Sequence, residues 1–358
     1  MKIVTVVGAR PQFIKAAAVS RAITREFAGR CQEVLVHTGQ HYDESMSQVF
    51  FDELGIPAPA HHLEISGGGH GAMTGRMLQS LEVVFQQEKP DWVLIYGDTN
   101  STLAAALAAA KIHIPVAHVE AGLRSFNMRM PEEINRIVAD RVSTLLLCPT
   151  QVAVDNLRAE GMIQGVHLVG DVMFDVSLHY RDLARSSSQV MERLQLAEGG
   201  FALATCHRAE NTDDPVRLEA ILGGLAEIAR TFPVVLPLHP RTRKIITDRG
   251  LQPLVGGITL TDPLSFLDMV RLEQSARVVV TDSGGVQKEA YFYGVPCVTM
   301  RDQTEWTETV DLSWNTLVGA DKDRIVAAAL AARPPAGEQA RPYGNGKAAE
   351  AVIGTLLG

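Results

Sequence analysis

The sequence is poor in cysteine, in net positive charge and in unbroken apolar runs, and each shortage removes a class of protein. Its four cysteines, Cys31, Cys148, Cys206 and Cys297, stand far apart and form no Cys-x-x-Cys pair. Neither a disulfide framework nor a zinc site is expected, and all four read as buried thiols suited to a reducing cytoplasm. Lys and Arg number 33 against 41 Asp and Glu, a formal charge of -8. That balance argues against nucleic acid and against an anionic membrane as partner, because either selects a basic surface. An anionic ligand has to be met by local cations instead. The longest apolar region, TLAAALAAAKIHIPVAH, is broken by Lys111 and His113, and the N-terminal MKIVTVVGAR soon turns polar. Neither a membrane-spanning helix nor a signal peptide is expected. Short-period repeats and sustained heptads are absent as well.

What is present is ordinary globular composition, 46% hydrophobic and 21% charged over 358 residues, enough chain for two domains. Short β-branched runs alternate with amphipathic stretches: KIVTVVG, EVLVHTG, DWVLIYGD, PVAHVEAG and TLLLCPT, then again FALATCHRAEN, VVLPLHP, GITLTD, RVVVTDSGG and PCVTM. This is the pattern of parallel βαβ units, so the expectation is an α/β protein of two Rossmann-like doubly wound domains facing a cleft. The first is expected over residues 1–170 and the second over 171–345, with a serine-rich linker and connecting helix near residues 170 to 190. A C-terminal helix over 346–358 is expected to pack back on the first domain.

Ligands of such sheets bind outside the carboxyl ends of the strands, so the post-strand loops hold the candidates. GARPQFIK places Arg10 and Lys15 at a helix mouth where an anion can bind, or where they are only surface charges. It is neither G-x-G-x-x-G nor a Walker loop, which disfavours a dinucleotide cofactor and ATP hydrolysis. VVVTDSGGVQKEA runs from strand through Ser283, Gly284 and Gly285 into a helix, letting bare backbone approach a phosphate; Glu289 further along can accept from ribose hydroxyls. The alternative is a tight turn that needs glycine for its dihedrals. TCHRAEN and LPLHPRTR repeat a histidine-then-arginine pattern, bringing His207 with Arg208, and His239 with Arg241 and Arg243, to one rim. GDTNSTLA and HVEAGLRS put Asp98 and Glu120 directly after apolar strands, as acid/base groups or as helix caps. Capping is the weaker reading for Glu120, since no helix is expected before Pro131. The glycine-rich GGGHGAMTGRM, from Gly67, reads as a mobile loop before a helix, with His70 and Arg76 as further contacts.

RMPEEINR, residues 129–136, starts a helix whose apolar stripe is expected at Ile134, Ile137, Val138, Val142 and Leu145. Glu132 and Arg136 then fall on the opposite face, away from their own core. A proline start with first-turn acids is also what the helix dipole prefers, so spacing alone does not separate catalysis from a solvated ion pair.

Taken in order, GARPQFIK, HTGQH, GDTNSTLA, HVEAGLRS, PEEINR, HRAEN, HPRTR, TDSGGVQKEA and RDQTEWTE, from residue 3 to about residue 309, resemble the non-hydrolysing UDP-N-acetylglucosamine 2-epimerases. The resemblance implies a glycosyltransferase-B-like pair of Rossmann-like domains, a UDP-sugar in the cleft, no metal, no nicotinamide or other cofactor, and a homodimer. It implies that Asp98, Glu120, Glu132 and His207 stand at the sugar. Ser283, Gly284 and Glu289 would hold diphosphate and ribose, and Arg10, Lys15 and Arg136 the cationic side of the site, while Gly285, His239 and Arg241 are expected as substrate contacts from their loop positions. The implied chemistry is elimination of UDP to a 2-acetamidoglucal and re-addition with inversion at C2, toward bacterial surface polysaccharide. Bacterial members activated by a second UDP-GlcNAc carry glutamines about the QH motif and an arginine on the next helix. Gln40, His41 and Arg76 fit that pattern, while Asp43 departs from it. GARPQ stands in place of GTRPE and TEWTE in place of TERPE, and SFNMRMPEEINR, GARPQFIKA and GDTNSTLA look closer to the branch acting on UDP-2,3-diacetamido-2,3-dideoxyglucuronate. Two other classes stay open from sequence: a retaining glycosyltransferase on the same fold, and a UDP-sugar sensor without turnover.

Overall fold

The computed structural model describes residues 1–40, 56–337 and 340–358. The chain divides into two compact units, one of Met1–Val176 with Arg341–Gly358, the other of Ser177–Ala340. Each is built on one all-parallel sheet with helical crossovers, so the expected doubly wound α/β architecture is borne out.

In the first unit the strands are β1 (Lys2–Val7), β2 (Gln32–His37), β3 (His61–His62), β4 (Trp92–Tyr96), β5 (Val116–Val119), β6 (Leu145–Cys148) and β7 (Val166–Leu168), in the order β3-β2-β1-β4-β5-β6-β7. Both faces of these strands are covered, which is why they read as continuous apolar runs rather than alternating ones. The helices are α1 (Arg10–Glu26), α2 (His70–Glu88), α3 (Asn100–Lys111), α4 (Pro131–Val142), α5 (Gln151–Ala159) and α6 (Val172–Ser187), the last running on into the second unit. Helix α3 packs against both α2 and α4. Its fully buried Ala104, Ala105, Ala108 and Ala109 give it the narrow profile that this position needs. Helix α2 corrects one expectation. It starts at His70, capped by Gly69, so most of the glycine-rich stretch is helix and not loop. The glycines cost helix propensity, but Met77, Leu81, Val84 and Phe85 are buried in the core and tertiary packing decides.

The second unit has β8 (Ala202–Thr205), β9 (Val234–Pro237), β10 (Thr259–Thr261), β11 (Val278–Thr281), β12 (Cys297–Thr299) and β13 (Asn315–Leu317), in the order β10-β9-β8-β11-β12-β13. Its main helices are α7 (Pro215–Ile228), α8 (Pro240–Asp248), α9 (Phe266–Ser275), α10 (Gly284–Phe292) and α11 (Lys322–Ala331). Leu218, Ile221, Leu222, Leu225 and Ile228 of α7 are fully buried at the helical period, in one core with strands β8 and β9. Both sheets reverse their winding once, between β1 and β4 and between β8 and β11, and those reversals are where such folds bind ligands. Cys148, Cys206 and Cys297 are buried thiols as expected; Cys31 is only partly covered. Among the described residues no helix is long and apolar enough to cross a membrane.

The C-terminal helix α12 (Ala348–Leu357) packs on α1. Its start is tied to α6, where Asp175 accepts from the backbone N–H of Ala348 at 3.1 Å and of Ala349 at 2.8 Å. Burial raises the Asp175 carboxyl to about 6 despite those two amides, which pull it down. Between about pH 4 and its folded value the native chain keeps a proton that the unfolded chain has lost, so this group's contribution falls as pH rises. Asp175→Asn retains an acceptor for the cap and cannot ionise. Denaturant unfolding is expected to show the variant gaining stability relative to wild type from pH 4 to pH 7; parallel profiles would contradict this reading.

Candidate functional site

The first post-strand turn, Gly8–Ala9, is held by a side chain that sequence reasoning passed over. Gln12 is 1% exposed. Its Oε1 accepts from the N–H of Gly8 at 2.9 Å and of Ala9 at 3.1 Å, while Nε2 donates to Tyr96 O at 2.8 Å and Thr102 Oγ1 at 2.9 Å. One amide thus joins the ends of β1 and β4 to the head of α3. The only sequence signal was an amide in the first turn of α1, where capping-box residues sit. Arg10 is the half-buried first residue of α1. One turn past Gln12, Lys15 is buried and its Nζ meets the Glu120 carboxylate.

Glu120 follows β5 with φ +70, the left-handed region that costs a residue other than glycine on the order of 1–3 kcal/mol. It caps no helix, since α4 begins only at Pro131. Asp98 follows β4 through Gly97, whose φ is +60. A Cβ at Gly97 would stand 3.3 Å from Glu120 Oε2 and 3.5 Å from Lys15 Nζ. Asp98 does not cap α3 either. Thr99 does so, accepting from Thr102 N at 3.3 Å. The Asp98 carboxylate instead pairs with Arg136. Burial raises its pKa; Arg136 and Lys15 oppose the rise, and Glu120 and Glu132 add to it.

Helix α4 departs from the expected pattern. Ile134 is 43% exposed, Ile137 and Val138 are half-buried, and Leu145 belongs to β6. The buried positions are Glu133, Asn135, Arg136, Ala139 and Asp140, so Arg136 faces its own unit and not away from it. The reason lies in the loop that α4 covers. Glu133 accepts from Ser125 N and Phe126 N, both at 2.9 Å, from Ser125 Oγ at 3.0 Å, and from Arg136. Asn135 Nδ2 donates to Asp98 O at 2.9 Å and Asn100 Oδ1 at 3.2 Å. Loop amides removed from water need acceptors, and here they choose the helix face. Glu132 is exposed and lines a cavity of 210 Å³ together with Lys15, Asp98, Gln12, Gln40 and His70.

In the second unit the loop after β8 hangs on Asp282, fully buried, which accepts from His207 N at 3.0 Å, Arg208 N at 3.0 Å and Asn211 Nδ2 at 3.2 Å. The His207 ring stays 47% exposed. Burial lowers its pKa, Asp282 opposes that, and Arg208 and His239 push it further down. His239 caps α8, accepting from Arg241 N at 3.3 Å. Arg241 pairs with Asp213, and Arg243 with Asp262 at 2.9 Å. Ser283 precedes α10, and a Cβ at Gly284 would lie 2.4 Å from Glu305 Oε1, so a carboxylate already stands at this helix end. Burial works to raise the Glu305 carboxyl, but Arg301, its own backbone and Arg208 outweigh it and hold it low. Gly285 faces open space, and Glu289 is half-buried on α10.

The structure therefore gathers Lys15, Asp98, Glu120, Glu132 and Arg136 in the first unit. In the second, His207, His239, Ser283, Gly284 and Gly285 all follow strands of one sheet. Gln40 joins the first group, its Oε1 accepting from Ser101 N at 3.0 Å and Oγ at 2.8 Å. Arg76 does not line the cavity; it donates to Ser66 O at 2.9 Å and Gly67 O at 2.7 Å. His41 and Asp43 lie outside the described residues.

Two parallel doubly wound sheets, with carboxyl groups and cations collected beyond the strand ends of one and a glycine-led helix start on the other, define a two-unit Rossmann-like α/β protein of the glycosyltransferase-B-like kind. A family model described as UDP-N-acetylglucosamine 2-epimerase matches residues 25–357. The chain is 54% identical to the UDP-2,3-diacetamido-2,3-dideoxy-D-glucuronate 2-epimerase of Pseudomonas aeruginosa, over 98% of either chain. It is 39% identical to the UDP-N-acetylglucosamine 2-epimerase of Methanocaldococcus jannaschii, over 99% of either. The crystal structure of Methanocaldococcus jannaschii UDP-GlcNAc 2-epimerase in complex with UDP-GlcNAc and UDP matches it with a TM-score of 0.89, at 40% identity and 99% coverage of both. That of the Neisseria meningitidis UDP-GlcNAc 2-epimerase bound to UDP-GlcNAc matches with a TM-score of 0.87, at 31% identity over the whole of both chains. The chain belongs to the UDP-N-acetylglucosamine 2-epimerase family, as the motifs implied.

The adjacent glutamates of α4 give a direct test of the geometry. Glu133→Ala leaves the amides of Ser125 and Phe126 and the guanidinium of Arg136 short of an acceptor, and is expected to cost about 3–5 kcal/mol. Glu132→Ala, at an exposed position, is expected to stay within about 0.5 kcal/mol. Equilibrium denaturation of the two variants decides this, and equal stabilities would refute the assignment of the buried role to Glu133.

Proposed function

We propose that the protein is a non-hydrolysing 2-epimerase of a UDP-2-acetamido sugar. The observation that carries this reading is the grouping of Asp98, Glu120 and Glu132 beside Lys15 and Arg136, with the Asp98 carboxyl raised. A C2–H with no adjacent carbonyl is a poor acid until the anomeric bond loosens. A carboxylate then takes the C2 proton as the C1–O bond to UDP breaks, giving UDP and a 2-acetamidoglucal. Re-addition of UDP at C1 with a proton delivered to the other face of C2 gives the epimer. The step needs one carboxyl as base and one as acid, exchanging roles with direction. Asp98, Glu120 and Glu132 are the pool for this pair, with His207 at the sugar.

Departure of UDP needs its developing charge met. We assign that to Arg10, Lys15, Arg136, His239 and Arg241, and assign Ser283, Gly284, Gly285 and Glu289 to diphosphate and ribose. Gln40 and Arg76, with His41, are the residues through which a second UDP-GlcNAc would act. The reading carries with it a homodimer and a cytoplasmic setting that the unpaired cysteines suit.

A second reading concerns the substrate alone. Identity is 54% to the diacetamido-glucuronate 2-epimerase and 39% to the archaeal UDP-GlcNAc 2-epimerase, which favours the same reaction on UDP-2,3-diacetamido-2,3-dideoxyglucuronate. Incubation with each sugar in deuterated water is expected to place deuterium at C2 of the epimer of one of them, read by NMR. No deuterium with either sugar would sink the epimerase reading. A glycosyltransferase would give product only with an acceptor, and a sensor would bind without exchange. Glu132→Gln is expected to slow exchange about 100-fold or more with the fold unchanged; undiminished turnover would return Glu132 to an ordinary exposed helix position.

A further inference from the structure

Between the turns that carry Asp98 and Glu120 lies a histidine that the epimerase reading does not use. His118, on β5, is fully buried. Its Nδ1 lies 2.7 Å from Asp140 Oδ1 and its Nε2 lies 2.7 Å from the carbonyl oxygen of Gly97. A backbone carbonyl has no proton to give. Asp140 is a carboxylate in an ion pair with Arg124: its Oδ2 accepts from Arg124 Nη1 at 2.7 Å and from Gly122 N at 3.2 Å, and close cations hold the carboxyl low, so it has no proton to give at Oδ1 either. Both ring nitrogens therefore have to be donors, a condition met only by the imidazolium.

We propose that His118 is a doubly protonated positioning residue whose two hydrogen bonds lock together the turn bearing Asp98 and the turn bearing Glu120. The Gly97 carbonyl belongs to the peptide whose nitrogen is that of Asp98, so the bond from Nε2 fixes the plane from which the Asp98 side chain departs. Asp140, at the other ring nitrogen, holds Gly122 N two residues past Glu120. Gly97 N in turn donates to Val119 O at 3.0 Å, closing the link between the two strand ends.

The charges of this cluster pair with one another. His118 and Arg124 stand against Asp140 and Glu160, with Arg124 bound to Glu160 at 2.6 and 2.9 Å. Burial works to raise Asp140, but His118 and Arg124 outweigh it and hold that carboxyl low. Arg141 also reaches Glu160, donating to its backbone oxygen at 2.9 Å, and Cys148 on β6, which faces this cluster, is pushed up to about 12 by burial and by Asp140. Paired in this way a buried cation is retained, whereas removal of one partner leaves the other uncompensated.

The proposal rests on the epimerase reading for its effect on turnover, but not for the protonation state. Nitrogen-15 NMR of the histidine-labelled protein at about pH 8, above the ordinary histidine range, is expected to show one ring with both nitrogens protonated, its signals absent from His118→Asn. A spectrum in which every histidine has an unprotonated ring nitrogen overturns the proposal, whatever the variants do. His118→Asn keeps a donor near the Nδ1 position and loses the one to Gly97; His118→Gln does the reverse. His118→Asn is expected to lower the C2 exchange rate about 100-fold with UDP affinity unchanged, and His118→Gln to retain more of the rate. Wild-type rates in both variants, or parallel loss of rate and UDP affinity, refute the positioning role. Should the wild type itself show no exchange, the epimerase reading falls and the NMR result still decides the imidazolium.

Discussion

The loops beyond a parallel sheet's carboxyl edge have no ladder to satisfy their amides, and this constraint organises the molecule. Buried or half-buried side-chain oxygens take up those N–H groups one loop at a time. Gln12 serves Gly8 and Ala9, Glu133 serves Ser125 and Phe126, Asp140 serves Gly122, and Asp282 serves His207 and Arg208. Leaving such an amide buried and unmade costs about 1–3 kcal/mol, so each acceptor is worth more than its hydrogen bond suggests. Two of these acids are also met by cations. Arg136 answers Glu133, and Arg124 and His118 answer Asp140.

Those pairings are how scaffold and chemistry come to share residues. Arg136 neutralises Glu133 with one nitrogen and reaches Asp98 with another. A group present to hold a loop thereby sits against a carboxyl that opens on the cavity. The acids consequently fall into two populations. Asp140 is held low by close cations, whereas burial and its neighbouring glutamates raise Asp98. Environments that push the pKa values of nearby acids apart are what acid–base chemistry needs, and here the separation follows from how close cations balance burial at each acid.

The same constraint explains what could and could not be read from the sequence. Strand runs were legible because covered strands are apolar on both faces, and Asp98, Glu120, His207 and Ser283 were legible because they directly follow such runs. The interior of α4 was not. A periodicity argument assumes that the buried face is the apolar one, so it sent Ile134 inward and Arg136 outward, and the polar loop beneath the helix reversed both. The spacing pairs Glu132 with Arg136 at i, i+4, whereas Arg136 pairs with Glu133, the glutamate that lies over Ser125 and Phe126. His118 was read as part of a strand, since nothing in PVAHVEAG signals that both of its ring nitrogens meet acceptors. The glycines about His70 suggested a loop until the buried Met77, Leu81 and Phe85 of α2 fixed a helix there.

Strain at the site follows the same logic. Gly97 and Glu120 both have positive φ, at +60 and +70, and their turns face one another. Glycine takes that conformation without penalty, so the first turn needs no further support. Glutamate does not, yet a glycine at position 120 would forfeit the carboxylate that Lys15 meets. The second turn is instead over-determined, by Lys15 on the side chain and by Leu147 O accepting from Glu120 N at 3.0 Å. A left-handed residue that keeps its side chain against a cost on the order of 1–3 kcal/mol is one whose direction matters. Among the described residues, Glu120 meets that condition at the point where the two strand ends converge on Lys15 and Asp98.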